Sequence, residues 1–319
     1  MSAPRLAAID VGSDTLHLIV VERERGNRLK HILDKSRLME LGLLEAQKGT
    51  LPDYAQGSIR RTLESLVSQA RDEGAFAVLI GATAALRSDP RSKEIIVRLT
   101  RAVGVPVRII SKRREIELGF LAMRHALRST GRQMFVDAGG ASTEITVCQG
   151  RRPLQTISLP VGAAELSVLL EDDPPSLLSF ARLMVPIQNA LRKAPVVQPV
   201  RSAIFSGGTA HHICNVAGES RRLVTRAALE RALRHLLKKP ARKIAKKYGI
   251  EAQRVPLLIS GAVILAAILE HYGLDRTAVT TDTIREGMIR AYLSHPGAWW
   301  KNSPSAQIKL RGFAAAAPR

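Results

Sequence analysis

The feature that most limits what this chain can fold into is that it repeats itself. Near 1–35 and again near 132–160 the sequence follows one plan: strand, acidic glycine-rich turn, strand, turn, strand. In the first copy an apolar run at 6–10 ends in Asp10, and Gly12-Ser13-Asp14 turns the chain into a second run at 16–22. Glu24-Arg25-Gly26-Asn27 makes the next turn, and 28–34 reads as a third strand. In the second copy 133–137 ends in Asp137, Gly139-Gly140 turns the chain, 142–148 runs back, Gly150-Arg151-Arg152 turns again and 154–159 follows. Repetition of a supersecondary unit implies duplicated lobes. Two similar α/β domains facing one another across a cleft are therefore expected, each with one glycine-rich turn, and with a boundary near 128–131.

Between the copies, 52–73 has helical spacing (Ile59, Leu63, Leu66, Val67, Ala70), 76–81 reads as a buried strand, and 92–103 as a helix ended by Gly104. A strand at 105–110 and a helix at 113–128 complete the first domain, taken as 1–128. In the second domain, 129–295, helices are expected at 163–170, 176–193, 226–248, 255–271 and 283–293. A strand at 203–206 runs into Gly207-Gly208-Thr209. The stretch 296–319, rich in Ser, Ala, Pro and Lys/Arg, is expected to be a frayed basic tail.

Charge narrows the partners. Lys and Arg number 48 against 28 acids, a net +20, and such a field gathers polyanions. Nucleic acid, an anionic membrane and polyphosphate would all satisfy it. Aromatic residues are only 4% and are not interleaved with the basic ones, which disfavours nucleic acid by removing any stacking platform. A membrane span is disfavoured, since an uncharged apolar stretch of about 18 residues is lacking, and no membrane partner is expected. Cys148 and Cys214 have no metal-ligand spacing, and a reducing, cytoplasmic setting is expected. Helical spacing would set Lys239, Arg242, Lys243 and Lys246 on one face, either a solvated surface or a track for a long polyanion.

A strand that delivers an acid to a glycine turn lets backbone N–H groups approach phosphate oxygens with no Cβ in the way. Gly12, Ser13 and Asp14 form one such turn, and Gly139, Gly140, Ala141 and Ser142 form another. Gly207, Gly208 and Thr209 make a third loop before a helix, where backbone amides suit an anion. Asp10, Asp137 and Glu144 are the matching candidates for a divalent cation. A capping Asp, a surface strand Glu and a plain strand-to-helix turn would leave the same traces. His211-His212 are helix neighbours that point apart and make a poor zinc site, and His17 reads as a core histidine.

Nine pieces stand in order from about residue 6 to 293: AAIDVGSDTLHLIV, RLMELG, GATAALRS, EIELGFLAM, FVDAGGASTEI, ISLPVGAAEL, FSGGTA, LISGAVILAAIL and TIREGMI. In them the chain resembles the exopolyphosphatase / guanosine pentaphosphate phosphatase family of the actin–Hsp70–sugar kinase superfamily. The resemblance implies an α/β fold of two ribonuclease H-like (actin/Hsp70-like) domains, their mixed sheets flanking a cleft. It also implies hydrolysis of a terminal phosphoanhydride by water, assisted by Mg²⁺ or another divalent cation. The family's catalytic carboxylate lies in a stretch that usually reads Ser-Gly-x-Glu-Glu-Ala-Arg. Here that stretch is Ser111-Lys112-Arg113-Arg114-Glu115-Ile116-Glu117, and Glu115 takes the water-activating position. Arg87 matches a family arginine near the transferred phosphate.

The same stretch departs most from the family. Lys112, Arg113 and Arg114 bring three cations, and Glu117 stands where an Arg is usual. Beside Glu115 such cations would lower its pKa and weaken it as a base, or grip substrate phosphates. Asp14 replaces a common Asn, and Thr283 a common Gly before Arg285-Glu286-Gly287, a triplet expected to fix helix packing. The expected function is exopolyphosphatase, releasing orthophosphate. The alternatives are a guanosine pentaphosphate 5′-phosphohydrolase and a non-catalytic sensor that binds polyphosphate or the alarmone. A homodimer is compatible with each.

Overall fold

The computed structural model describes residues 4–25, 28–39, 41–124, 131–195, 199–219, 223–303 and 310–312. The chain divides into two compact units: Met1–Met123 with Asp282–Ala306, and Arg124–Thr281 with Gln307–Arg319.

The first unit opens with β1 (Arg5–Val11), β2 (Thr15–Arg23) and β3 (Leu29–Leu38), then α1 (Leu41–Lys48) and α2 (Asp53–Asp72). It continues through β4 (Ala75–Ala82), α3 (Ala84–Ser88), α4 (Ser92–Val103), β5 (Val107–Ile109) and α5 (Lys112–Met123). The three opening strands pair antiparallel, while β4 joins β1 in parallel and β5 joins β4. The sheet order is β3-β2-β1-β4-β5. β1 is buried on both sides: Ala7, Ile9 and Val11 belong to the core beneath α2 and α4, and Leu6 and Ala8 to a separate cluster on the other face.

The second unit repeats the plan with β6 (Arg132–Ala138), β7 (Thr143–Gln149) and β8 (Arg152–Leu159), followed by α6 (Ala163–Ser167) and α7 (Leu177–Lys193). Then come β9 (Ser202–Ser206), α8 (Gly207–Ala217), β10 (Leu223–Thr225), α9 (Arg226–Leu237), α10 (Ala241–Tyr248), α11 (Arg254–His271) and β11 (Arg276–Thr280). After them α12 (Ile284–Ser294) returns to the first unit, and β12 (Leu310–Gly312) adds to β8. The second sheet runs β10-β11-β9-β6-β7-β8-β12. Its inner run β8-β7-β6-β9-β11 reproduces the third-second-first-fourth-fifth order of the first sheet. The duplication therefore extends past the three strands visible in the sequence to whole ribonuclease H-like sheets, and the fold is the expected α/β pair with mixed sheets. α11 is long and apolar enough to cross a bilayer, but 61% of it is buried in the unit, as in a core helix.

Several expectations are corrected. The second domain does not run to residue 295, because α12 packs in the first unit, where Gly287 lies against the backbone of Leu118 on α5. The helix expected over 226–248 breaks into α9 and α10 at Pro240, which has no N–H to donate and whose ring clashes with the preceding turn. The helix at 163–170 stops at Ser167, and α5 ends at Met123, with 125–130 outside the described residues. In the expected tail, 296–300 is turned, Trp299 is buried and 310–312 is a strand. The tail has structure because Arg114 binds the Trp299 carbonyl from α5. β10, β11, α1 and α3 were not expected.

Candidate functional site

Each glycine-rich turn is closed in the same way. Gly12 N–H donates to Thr15 O (3.1 Å), and Gly139 N–H to Ser142 O (2.9 Å). Each is propped from behind by the chain returning from the third strand. Gly42 N–H donates to Ser13 O (2.7 Å), and Ala164 N–H to Gly140 O (3.0 Å). The two acids hold equivalent registers: Asp10 lies opposite His17 and Gly81, and Asp137 opposite Glu144 and Ser206. Glu144 accepts a hydrogen bond from Ser158 Oγ (2.9 Å).

In the first unit the candidates gather at the carboxyl ends of the parallel strands, the edge where α/β sheets carry ligands. Thr83 N–H, past the end of β4, donates to Val11 O (3.1 Å), and Ile110 N–H, past β5, donates to Ala82 O (2.9 Å). Arg87 on α3 then ties this edge to α5. Its Nη1 donates to Ile110 O (2.7 Å) and to Glu115 Oε2 (2.9 Å). Glu115 sits in the first turn of α5, capped by Ser111, whose Oγ accepts from Arg114 N–H (3.1 Å). The Arg87 and Glu115 side chains are 23% and 26% exposed, so the pair is half-sheltered rather than in bulk water.

Two of the three added cations are engaged by another carboxylate, that of Glu117. Glu117 takes both arginines, Arg113 Nε at 3.0 Å and Arg114 Nη1 at 2.9 Å. Arg114 also donates from Nε and Nη2 to Trp299 O (3.0 and 2.8 Å), and Ser303 N–H donates to Glu117 Oε2 (3.0 Å). Arg114 and Glu117 thus bind the 299–303 segment to α5, with Arg113 paired to Glu117.

In the second unit, α8 starts at Gly207, so Gly207, Gly208 and Thr209 form its first turn, where N–H groups lack intrahelical acceptors. Gly207 has φ +94°, which an L side chain rarely adopts, and a Cβ there would stand 3.6 Å from Asp137 Oδ1. The glycine therefore keeps space open in front of that carboxylate. Of the polyanion track, Arg242, Lys243 and Lys246 are exposed on α10 together with Lys247, but Lys239 falls in the turn before Pro240, off the helical face. His17 is not a core residue; its side chain is 27% exposed and its Nε2 lies 3.0 Å from Asp34. Burial pushes the Asp34 carboxyl up, but the His17 hydrogen bond and the charge of Arg285 outweigh it and hold the group at about 2. The role of 299–303 went unread in the sequence, although the Trp299-Trp300 pair inside a basic, Ala-rich stretch was a visible cue.

Duplicated ribonuclease H-like sheets, each presenting an acid and a glycine turn at its strand ends, define an actin/Hsp70-like phosphate-handling class. The Ppx/GppA phosphatase family model matches residues 19–295, and the chain belongs to that family. It is similar to Exopolyphosphatase 1 of Mycobacterium tuberculosis, 25% identical over 300 residues, covering 89% of this chain and 87% of that one. An uncharacterized protein of Streptomyces coelicolor is 28% identical over 332 residues, covering 98% and 96%. Among solved structures, the Aquifex aeolicus member of the Ppx/GppA family superposes with a TM-score of 0.76 at 25% identity, covering 92% of this chain and 99% of that one. An exopolyphosphatase from Cytophaga hutchinsonii, 19% identical, gives 0.78 with 91% and 98% covered, and bears on the fold alone.

Proposed function

We propose that the chain hydrolyses the terminal phosphoanhydride bond of inorganic polyphosphate and releases orthophosphate. The observation that carries this reading is the Arg87–Glu115 contact of 2.9 Å at the strand-end edge beside the Asp10 turn. It joins a planar cation suited to a phosphoryl group and a carboxylate suited to a water. In the reaction Glu115 orients a water and accepts its proton as the oxygen attacks phosphorus. Arg87 turns its guanidinium to the phosphoryl oxygens, and the remaining chain departs as the leaving group. The amides around Gly12–Asp14 in the first unit, and those around Gly139–Ser142 and Gly207–Thr209 in the second, are each suited to a phosphate.

Mg²⁺ fits the donors present. In the second unit Asp137 and Glu144, opposite each other in register, offer only carboxylate oxygens, as Asp10 does in the first; these are the hard ligands this ion takes, and the side-chain-free space at Gly207 leaves Asp137 accessible. Bound there, the ion would neutralise charge developing on the phosphoryl oxygens. The names of the mycobacterial relatives support polyphosphate as substrate, and the net +20 suits a long polyanion.

The test is phosphate release from long-chain polyphosphate and from guanosine pentaphosphate, with and without Mg²⁺, for the wild type and Glu115→Gln. Release from polyphosphate that falls by about 10²–10⁴ in the variant, with polyanion binding kept, is the expected result. Turnover confined to the nucleotide would move the assignment to the 5′-phosphohydrolase. Tight binding without release of phosphate from either compound would make the chain a sensor.

A further inference from the structure

The register of β3 with β2 runs Ile19 to Asp34, Val20 to Leu33 and Val21 to His31, which leaves Ile32 as an extra residue. Such a bulge re-aims the side chains beside it. In an unbroken strand His31 and Asp34 would point to opposite faces. With the bulge both fall on the face of Ile19 and Val21, which clusters with Ile284, Met288 and Ile289 of α12. Both side chains reach the amino end of that helix. Asp34 Oδ1 lies 3.3 Å from Arg285 Nη1, and His31 Nε2 lies 3.3 Å from Glu286 Oε1.

Glu286 is 1% exposed. Its Oε2 accepts from Thr283 N–H (2.7 Å) in a capping box, but its Oε1, although buried, accepts no hydrogen bond among the described residues. A buried carboxylate oxygen left so is costly unless a cation meets it. Arg285 is already engaged, by Asp34 and by Thr283 Oγ1 at 2.9 Å. One ligand atom each from His31, Asp282 and Glu286 lies within 4.8 Å of the others. Donors held about 2.1 Å from one ion stand roughly 3.0–3.4 Å apart, and the His31–Glu286 separation of 3.3 Å has that spacing.

We propose that His31, Asp282 and Glu286 bind one divalent transition-metal ion of the Zn²⁺ class, fastening β3 to the amino end of α12. An imidazole nitrogen with two carboxylate oxygens suits Zn²⁺ better than Mg²⁺, which keeps an octahedral shell of oxygens and water. Three protein ligands leave a position for water or an anion. Asp282 is the first residue of the segment that returns to the first unit, so the ion fastens the point of return to an edge strand. None of the three residues is among those assigned above to Mg²⁺, phosphate or water, and the site stands whatever the substrate.

The experiment uses the full chain, stripped with chelator and then dialysed against Zn²⁺ alone, with bound metal counted and the thermal midpoint followed. Wild type and Asp137→Asn should each retain one Zn²⁺ per chain and gain thermal stability, and excess Mg²⁺ should not displace it. His31→Ala and Asp282→Asn, which alter less buried positions than Glu286→Gln, should bind Zn²⁺ about tenfold or more weakly and lose the Zn²⁺-dependent rise in midpoint. Binding by both variants as tight as wild type would overturn the proposal, as would a wild type that holds no Zn²⁺ at micromolar concentration.

Discussion

A guanidinium that donates from one nitrogen to both Ile110 O and Glu115 Oε2 restrains the carboxylate, and in the proposed reaction it would turn to the phosphoryl group. Arg87→Ala should therefore lower kcat by about 10²–10³, the usual loss for a donor that meets developing negative charge. Arg87→Lys should recover only part of it, because an ammonium has no planar fork. Steady-state rates of the two variants check this, and an Arg87→Ala enzyme with wild-type kcat would remove Arg87 from the chemistry. Asp34 offers a prediction in pH. Its carboxyl is held at about 2 rather than 3.8, so its contribution to stability is present above 3.8 and is lost as pH falls through about 2. Urea midpoints should separate wild type from Asp34→Asn near neutrality and converge toward pH 2. Glu115 was legible only because the surrounding stretch could be set against a family pattern; a lone Glu in a first helical turn carries no such message. Glu117 shows the limit. Its spacing from Arg113 and Arg114 announces helical ion pairs, but its third partner is the backbone N–H of Ser303, 186 residues away.

α5 carries Glu115, and two contacts from the C-terminal part of the chain brace it. Glu117 is 6% exposed and bridges Arg113, Arg114 and the backbone of Ser303. Glu117→Ala would strand the buried Arg114 guanidinium, which should cost about 3–5 kcal/mol and show in chemical denaturation. A cost below about 1 kcal/mol would mean that Arg114 finds another partner. Gly287 lets α12 come down onto the Leu118 backbone. Gly287→Ala should cost about 1–3 kcal/mol through overpacking and lower turnover by shifting α5. The elements that sequence reading missed share a physical cause. β10 and β12 have three residues each, and β11 and α3 five, too short for any periodicity to declare itself. The joined helix over 226–248 is a different fault, since Pro240 was in plain view and a proline there breaks the hydrogen-bond ladder.

For the molecule as a whole, the repeat in the sequence foretold two like sheets, because an acid and a glycine at each strand end recur with the same spacing in both copies. What it could not foretell is that the chain returns to its first unit for α12, since hydrophobic spacing along a helix says which face is buried and not against what. The net charge of +20 acts at this scale as well. On α10 the exposed residues Arg242, Lys243, Lys246 and Lys247 form one basic face, while Ile244 and Ala245 are buried behind it. If this face carries polyphosphate, each cation that meets a phosphate releases about one counterion, and affinity falls linearly with the logarithm of salt. Changing all four residues to Gln should then reduce the slope of log K against log salt by roughly two to four and weaken binding of long chains. Hydrolysis of chains too short to reach α10 should keep its kcat. The face is solvated and outside the fold's core, so thermal stability should hardly change. An unaltered slope in the fourfold variant would mean that the long chain is held elsewhere, and that the basic face of α10 serves only to keep the surface in water.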